Sequence, residues 1–236
     1  MSVSENNVHI EIIKEKLVAN AQDLVNNNHM TGLEDKAQNL SLNENNFLFD
    51  PVIFSMVKAS EFKFQYDKFE LIKSESGSLE QSLIDLGDNL VLRPLKRDDF
   101  KRNYIGLMSH LSEVGEVSQQ DFEKRFDQMK QAANTYFVCV VEDVQNQKVV
   151  ASLTLVYEQK FIRQVGSRGR FEDMVVDVNY RGKRLSKLLL DVVVQISQIL
   201  GCYKISLECK DHLKKHYEQF GFSLEQGQNY LCRRFI

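Results

Sequence analysis

Residues 172–193 read EDMVVDVNYRGKRLSKLLLDVV, and this stretch decides the fold. Phe171 to Val176, ending in Met-Val-Val, predicts a strand. Leu185, Leu188, Leu189, Val192, Val193, Ile196 and Leu200 recur on one face at helical spacing, and Gly201 stands where such a helix stops. Between strand and helix lies DVNYRGKRLS. A strand that turns directly into a helix leaves the first backbone N–H groups without partners and aims the positive end of the helix dipole at one point. Phosphate binds at such points. Arg181, Lys183, Arg184 and Lys187 add cationic side chains suited to a pyrophosphate and a further phosphate. Taken alone, such a loop is more often a solvated basic helix start than a phosphate site. It is not a Walker loop, because GxxxxGK[ST] is missing.

Working outward, Tyr203 to Glu208 predicts the next strand, followed by a helix ending near Gln219 before Gly221 and a last strand from Tyr230 to Phe235. Upstream, Asn89 to Pro94 suits a short strand. Phe100, Tyr104, Leu107, Met108 and Leu111 then keep helical spacing up to Gly115, and Ser118 opens a second helix with Phe122, Phe126 and Met129. Tyr136 to Val141 and Val149 to Tyr157 are β-branched runs that form a hairpin around DVQNQ. The order β-αα-β-β-β-α-β-α-β predicts an α/β (α+β) domain, a mixed sheet with helices on its faces.

That domain begins at Gly87, where the texture of the sequence changes, and runs over 87–236. Residues 1–45 are polar, with one apolar-spaced stretch through Val8, Ile12, Ile13, Leu17 and Leu24. They are expected to form a flexible extension, because such a composition buries too little to offset ordering entropy. Residues 46–86 contain FLFDPVIF and then SESGSLEQSL, read as a lead segment and a tether.

A net charge of -3 and a pI near 6.0 argue against a general nucleic-acid binder. No apolar run reaches the roughly 18 residues of a membrane span, and the start lacks the basic head and apolar middle of a signal peptide. A cytoplasmic location is the expectation. Cys139, Cys202, Cys209 and Cys232 show no CxxC pair and no metal-ligand spacing; they are expected to be reduced thiols in the core, and no metal is expected.

RGKRLSKLL resembles the acyl-CoA pyrophosphate loop of the GNAT acetyltransferase superfamily, written [RQ]-x-x-G-x-[GA]. The longer stretch from Arg168 to Phe235, with NLVLRPLKRDDF, LSEVGEVSQQDF and VYEQKFI before it, is similar to the glucosamine-6-phosphate N-acetyltransferases of that superfamily. FDP at Phe49 to Pro51 resembles the lead segment of animal members. The resemblance implies the GNAT acyl-CoA N-acyltransferase fold with a mostly antiparallel sheet. It implies acetyl transfer from acetyl-CoA to the amine of glucosamine 6-phosphate, on the way to UDP-N-acetylglucosamine, by a homodimer acting on small-molecule substrates.

By the same resemblance, the backbone of Met174, Val175 and Val176 would hold the pantetheine arm. Amides along Arg181, Gly182, Lys183, Arg184, Leu185, Ser186 and Lys187 would hold the pyrophosphate. Glu172, Asp173 and Met174 would meet the sugar, Leu207 and Glu208 would position its amine, and Tyr217 would stand beside the CoA sulfur as proton donor. Lys160, Phe161, Ile162, Arg163 and Arg234 match positions near the sugar phosphate, and Ser112 stands where the family typically has Thr. Each of these residues also has a plainer reading, as core packing or solvated surface. The chain departs from the pattern at Ser186 (usually Gly or Ala), Arg184 (often Gly), Leu213 (Asn), His216 (Phe) and Arg163 (His). The departures leave open another amine acceptor, or a CoA-binding protein without turnover.

Overall fold

The computed structural model describes residues 46–72 and 83–235. The polar stretch 1–45, its apolar spacing from Val8 to Leu24 and the Ser-Gly-Ser of the expected tether lie outside them. One seven-stranded sheet carries the fold: β1 (Glu70–Ile72), β2 (Leu83–Gly87), β3 (Leu90–Pro94), β4 (Tyr136–Asp143), β5 (Lys148–Gln159), β6 (Ser167–Val176) and β7 (Cys202–Ser206), side by side in chain order. Every neighbouring pair is antiparallel except β6 and β7, which run parallel. The crossover between those two is the helix α4 (Leu185–Ile199), as a parallel connection requires. The remaining helices are α1 (Tyr104–Met108), α2 (Gln119–Gln131), the single turn α3 (Ile162–Val165) and α5 (Lys214–Glu218).

The sheet is covered on both faces, which is why β4 and β5 read as nearly continuous apolar runs. Alternate residues of β4 go to opposite layers. Phe137, Cys139 and Val141 join Leu188, Leu189, Val192, Val193 and Ile196 of α4, whereas Val138 and Val140 join Tyr104, Leu107, Phe122 and Phe126 of α1 and α2. α2 starts on a capping box in which Ser118 and Asp121 satisfy each other's backbone N–H groups.

One end of the sheet is held by a buried charge cluster. Arg93, 1% exposed, makes a bidentate pair with Asp99 (2.7 and 2.8 Å) and a further bond to Glu142 (2.6 Å), and Arg102 closes on the other oxygen of Glu142 at 3.1 Å. A planar guanidinium grips one carboxylate bidentately while donating to a second, a fork geometry that a lysine does not offer.

The structure adds to the expected order and corrects it. β1 and all but the last residue of β2 lie within residues 46–86, a region expected to be lead segment and tether; Phe47, Leu48, Ile53, Phe54 and Val57 from the same region are buried. These strands are short and their sequence is mixed, so neither shows an apolar period. The first helix shrinks to Tyr104–Met108, and Leu111 is exposed because the chain has already left the helix. The expected last strand, Tyr230 to Phe235, is not a strand: from residue 223 to 235 the chain has no helix or strand, and Leu231 and Phe235 are 90% and 83% exposed. A strand needs a neighbour to satisfy its backbone groups, and this segment joins no ladder among the described residues. Only Cys139 is a core cysteine; Cys202 is half-buried, and Cys209 and Cys232 are exposed.

Candidate active site

The parallel pairing of β6 with β7 runs from Ser167 opposite Cys202 to Arg170 opposite Ser206 and stops there. β6 continues to Val176, paired only with β5. The two strands therefore part inside the sheet, and the edge of β6 over residues 171–176 faces an open cleft. A bulge sharpens the opening: Thr154 pairs with Glu172 and Ser152 with Val175, and Asp173 between them has φ 54. Gly169 sits where the strands are closest, since a Cβ there would lie 2.9 Å from Leu155 and 3.3 Å from Ile205.

At the base of the cleft, one guanidinium gathers the carboxylates. Arg170 pairs through Nε with Glu172 and through Nη2 with Glu208, the latter at 2.6 Å. Partial desolvation and then the Glu172 charge beside it raise the pKa of Asp173, whose side chain is open to solvent. The Tyr104 hydroxyl lies 3.4 Å from Ser152 Oγ, and burial pushes its pKa up to about 12.

Tyr217, on α5, is 6% exposed, with its ring 5.6 Å from that of Phe171, the residue at which the strands begin to part. Burial, then the neighbouring Cys209, raises the Tyr217 pKa and keeps the phenol protonated at neutral pH. His216 packs edge-on against Tyr217, and burial with the nearby Lys187 charge lowers its pKa.

At the outer mouth of the cleft, β6 runs through a 3-10 turn (Val178–Tyr180) into the start of α4. Gly182 has φ 86 with nothing near the place a Cβ would occupy, Arg184 caps the helix at φ 60, and no acidic residue stands in its first turn. Arg181, Lys183 and Arg184 are exposed, and Lys183 meets Asp88 at 3.0 Å. Leu185 is buried, so its side chain belongs to the core and only its backbone can serve a ligand. Cations concentrated at a helix start, where the dipole opposes them, fit a polyanionic ligand.

Other expected residues do not converge within one chain. Arg168 grips both oxygens of Glu158 and Lys160 shares one of them, so that Glu158 is pulled down to about 2. The Arg163 guanidinium lies 6.0 Å from the Tyr203 ring centroid. Phe161 and Ile162 point outward, 98% and 65% exposed, and Arg163, Gln164 and Val165 all have positive φ. Arg234 sits on the exposed C-terminal segment, within electrostatic range of Tyr230. Ser112 is exposed in the turn after α1. Leu213 packs against the core, where it offers the cleft no hydrogen bond. Arg170 was missing from the expected set; its signal was the i, i+2 spacing of Arg170 and Glu172, which places both on one face of a strand.

An interrupted parallel pair, carboxylates gathered by Arg170 at the gap and a basic helix start at its mouth define the class of acyltransferase that draws on coenzyme A thioesters. The description of the GNAT acetyltransferase family matches residues 99–222, more than half of the sequence, and the chain belongs to that family. A Drosophila melanogaster protein named "Probable glucosamine 6-phosphate N-acetyltransferase" is 47% identical over 138 residues, which take in 58% of this chain and 63% of the fly protein. Glucosamine 6-phosphate N-acetyltransferase 1 of Dictyostelium discoideum is 39% identical over 141 residues, 60% of this chain and 88% of its own length. The crystal structure of glucosamine-6-phosphate N-acetyltransferase from Arabidopsis thaliana superposes with a TM-score of 0.60 at 30% identity, covering 63% of this chain and all of that one.

Proposed function

We propose that the protein transfers the acetyl group of acetyl-CoA to the amine of D-glucosamine 6-phosphate, giving N-acetyl-D-glucosamine 6-phosphate and CoA. The observation that carries this reading is the gap where β6 and β7 part, with Glu172 of β6 and Glu208 beyond β7 both paired to Arg170 and buried Tyr217 packed on Phe171. The fit of acetyl-CoA rests on the open cradle at Gly182 and on cations with no acid to neutralise them in the first turn of α4. Amides along 182–187 and the side chains of Arg181, Lys183, Arg184 and Lys187 hold the phosphates, and the free edge of Met174 to Val176 holds the pantetheine arm. The thioester supplies the activated acetyl group.

The amine of an amino sugar is less basic than that of lysine, so it arrives partly neutral and needs orientation more than a strong base. Glu172 and Glu208, fixed by Arg170, orient the sugar and its nitrogen. Asp173, with its raised pKa, accepts the proton that the amine loses. Tyr217 gives its phenolic proton to the departing thiolate.

Lys160, Arg163 and Arg234 take the sugar phosphate in a homodimer, in which the C-terminal segment and the exposed Phe161-Ile162 turn reach the partner's cleft. Among the described residues no helix is long and apolar enough to cross a membrane; with unpaired cysteines, this accords with a cytoplasmic enzyme feeding UDP-N-acetylglucosamine synthesis.

The test is a CoA-release assay with saturating acetyl-CoA, with and without glucosamine 6-phosphate. Thiol release that depends on the phosphorylated sugar is expected. Tight acetyl-CoA binding without release would make the protein a CoA binder, and preference for a polyamine or peptide would assign another acceptor.

A further inference from the structure

We propose that residues 58–66 form a strap on α4 whose task is to present Phe64 to Lys187, and that Phe64 is a positioning residue for the phosphates of the acyl-CoA. The proposal rests on the acyl-CoA reading above. Its ground is a polar stripe on a largely apolar helix. Lys187, Asp191 and Gln195 stand at i, i+4 and i+8, on one face of α4. Asp191 and Gln195 are 4% and 6% exposed, and a buried polar side chain needs partners.

The strap supplies them. Gln195 exchanges two hydrogen bonds with the backbone of Lys58, accepting from its N–H and donating to its carbonyl, both at 2.9 Å. Asp191 accepts from the Lys63 N–H at 3.0 Å and from the Tyr66 hydroxyl at 2.9 Å. The strap thus runs antiparallel to α4, and its direction carries Phe64 to the end of the helix where the phosphates are expected. Lys187 Nζ lies 3.9 Å from the centroid of the Phe64 ring. That ring is itself braced by Phe220, with centroids 5.2 Å apart.

The choice of an aromatic partner has a physical consequence. A cation in the first turn of a helix is opposed by the dipole. A carboxylate would relieve the repulsion but cancel the charge. The face of an aromatic ring attracts the ammonium and leaves its full charge for an anion. It also fixes a long side chain whose entropy would otherwise be lost on binding.

The test uses the full chain and measures calorimetric affinity for acetyl-CoA and for S-acetylpantetheine, which lacks the phosphates, together with KM and kcat. Phe64→Leu keeps the apolar bulk and removes the ring. It is expected to weaken acetyl-CoA by about three- to tenfold, the range a cation–π contact supports. Affinity for S-acetylpantetheine, KM for the sugar and kcat should be unchanged, and Phe64→Trp should restore acetyl-CoA affinity. Should Phe64→Leu not fold, Phe64→Met makes the same comparison. Unchanged acetyl-CoA affinity, equal weakening of both thioesters, or failure of Phe64→Trp to restore would overturn the proposal. If the wild-type chain binds neither thioester, the acyl-CoA reading itself falls and the strap with it.

Discussion

Tyr217 combines burial, a raised pKa and contact with Phe171 at the start of the cleft. A phenol so placed stays protonated across the neutral range, as a donor to a thiolate must. Tyr217→Phe is therefore expected to lower kcat about 10²-fold, the usual contribution of one general acid, with acetyl-CoA affinity little changed; stopped-flow thiol release together with calorimetry checks both halves. Gly169 makes a different demand. Its missing side chain lets β6, β7 and α4 approach, and Gly169→Ala would push a methyl into Leu155 and Ile205. A destabilisation of about 1–3 kcal/mol is expected, read from urea unfolding. Glu172, Asp173 and Tyr217 are expectations from a family pattern, and the structure sets Glu172 and Tyr217 beside the point where β6 and β7 part. Arg170 was not, because an arginine in a strand looks like surface until the partner that bends back to it, Glu208, is known.

At the level of elements, α4 and the β4–β5 hairpin were the easiest to read, since a dry helix face and a strand covered on both sides each leave a strong period. The β1–β2 hairpin and the strap were hidden. FKFQY does alternate, placing Phe62, Phe64 and Tyr66 inward, but its lysine and glutamine weaken the signal, and the partner that makes it a strap is two polar residues on a distant helix. The expected C-terminal strand failed for the converse reason, a good local pattern with no neighbour to bond. Within the β5–β6 hairpin, Glu158 faces Arg168 directly across the ladder and is held chiefly by that guanidinium, well below its ordinary 4.5. A depressed carboxylate adds stability that is complete above its unfolded pKa and is lost as pH falls toward its folded value. Thermal melts of Glu158→Gln should thus match wild type near pH 2 and fall below it from about pH 4.5 upward. Parallel curves over that interval would remove the pair from the balance.

For the whole molecule, the parts that a single chain leaves apart are informative. Lys160, Arg163 and Arg234 do not meet, Phe161 and Leu231 lie open to water, and the C-terminal segment lacks a ladder. On the homodimer and sugar-phosphate reading proposed above, truncation after Gln226 is expected to leave a monomer in sedimentation equilibrium and to raise KM for the phosphorylated sugar; an unchanged mass would contradict this. The interrupted pairing of β6 and β7 reaches further. A sheet normally ends at its margins, whereas this one carries a vacant edge in its interior, which an extended amide-bearing ligand can fill as though it were a short strand. Ligand and fold are then thermodynamically linked: occupancy at 100 times Kd adds about 2.7 kcal/mol to the folded state. Acetyl-CoA should accordingly raise the melting temperature and slow amide exchange along 171–176 in particular, where the N–H groups that face the gap gain a partner.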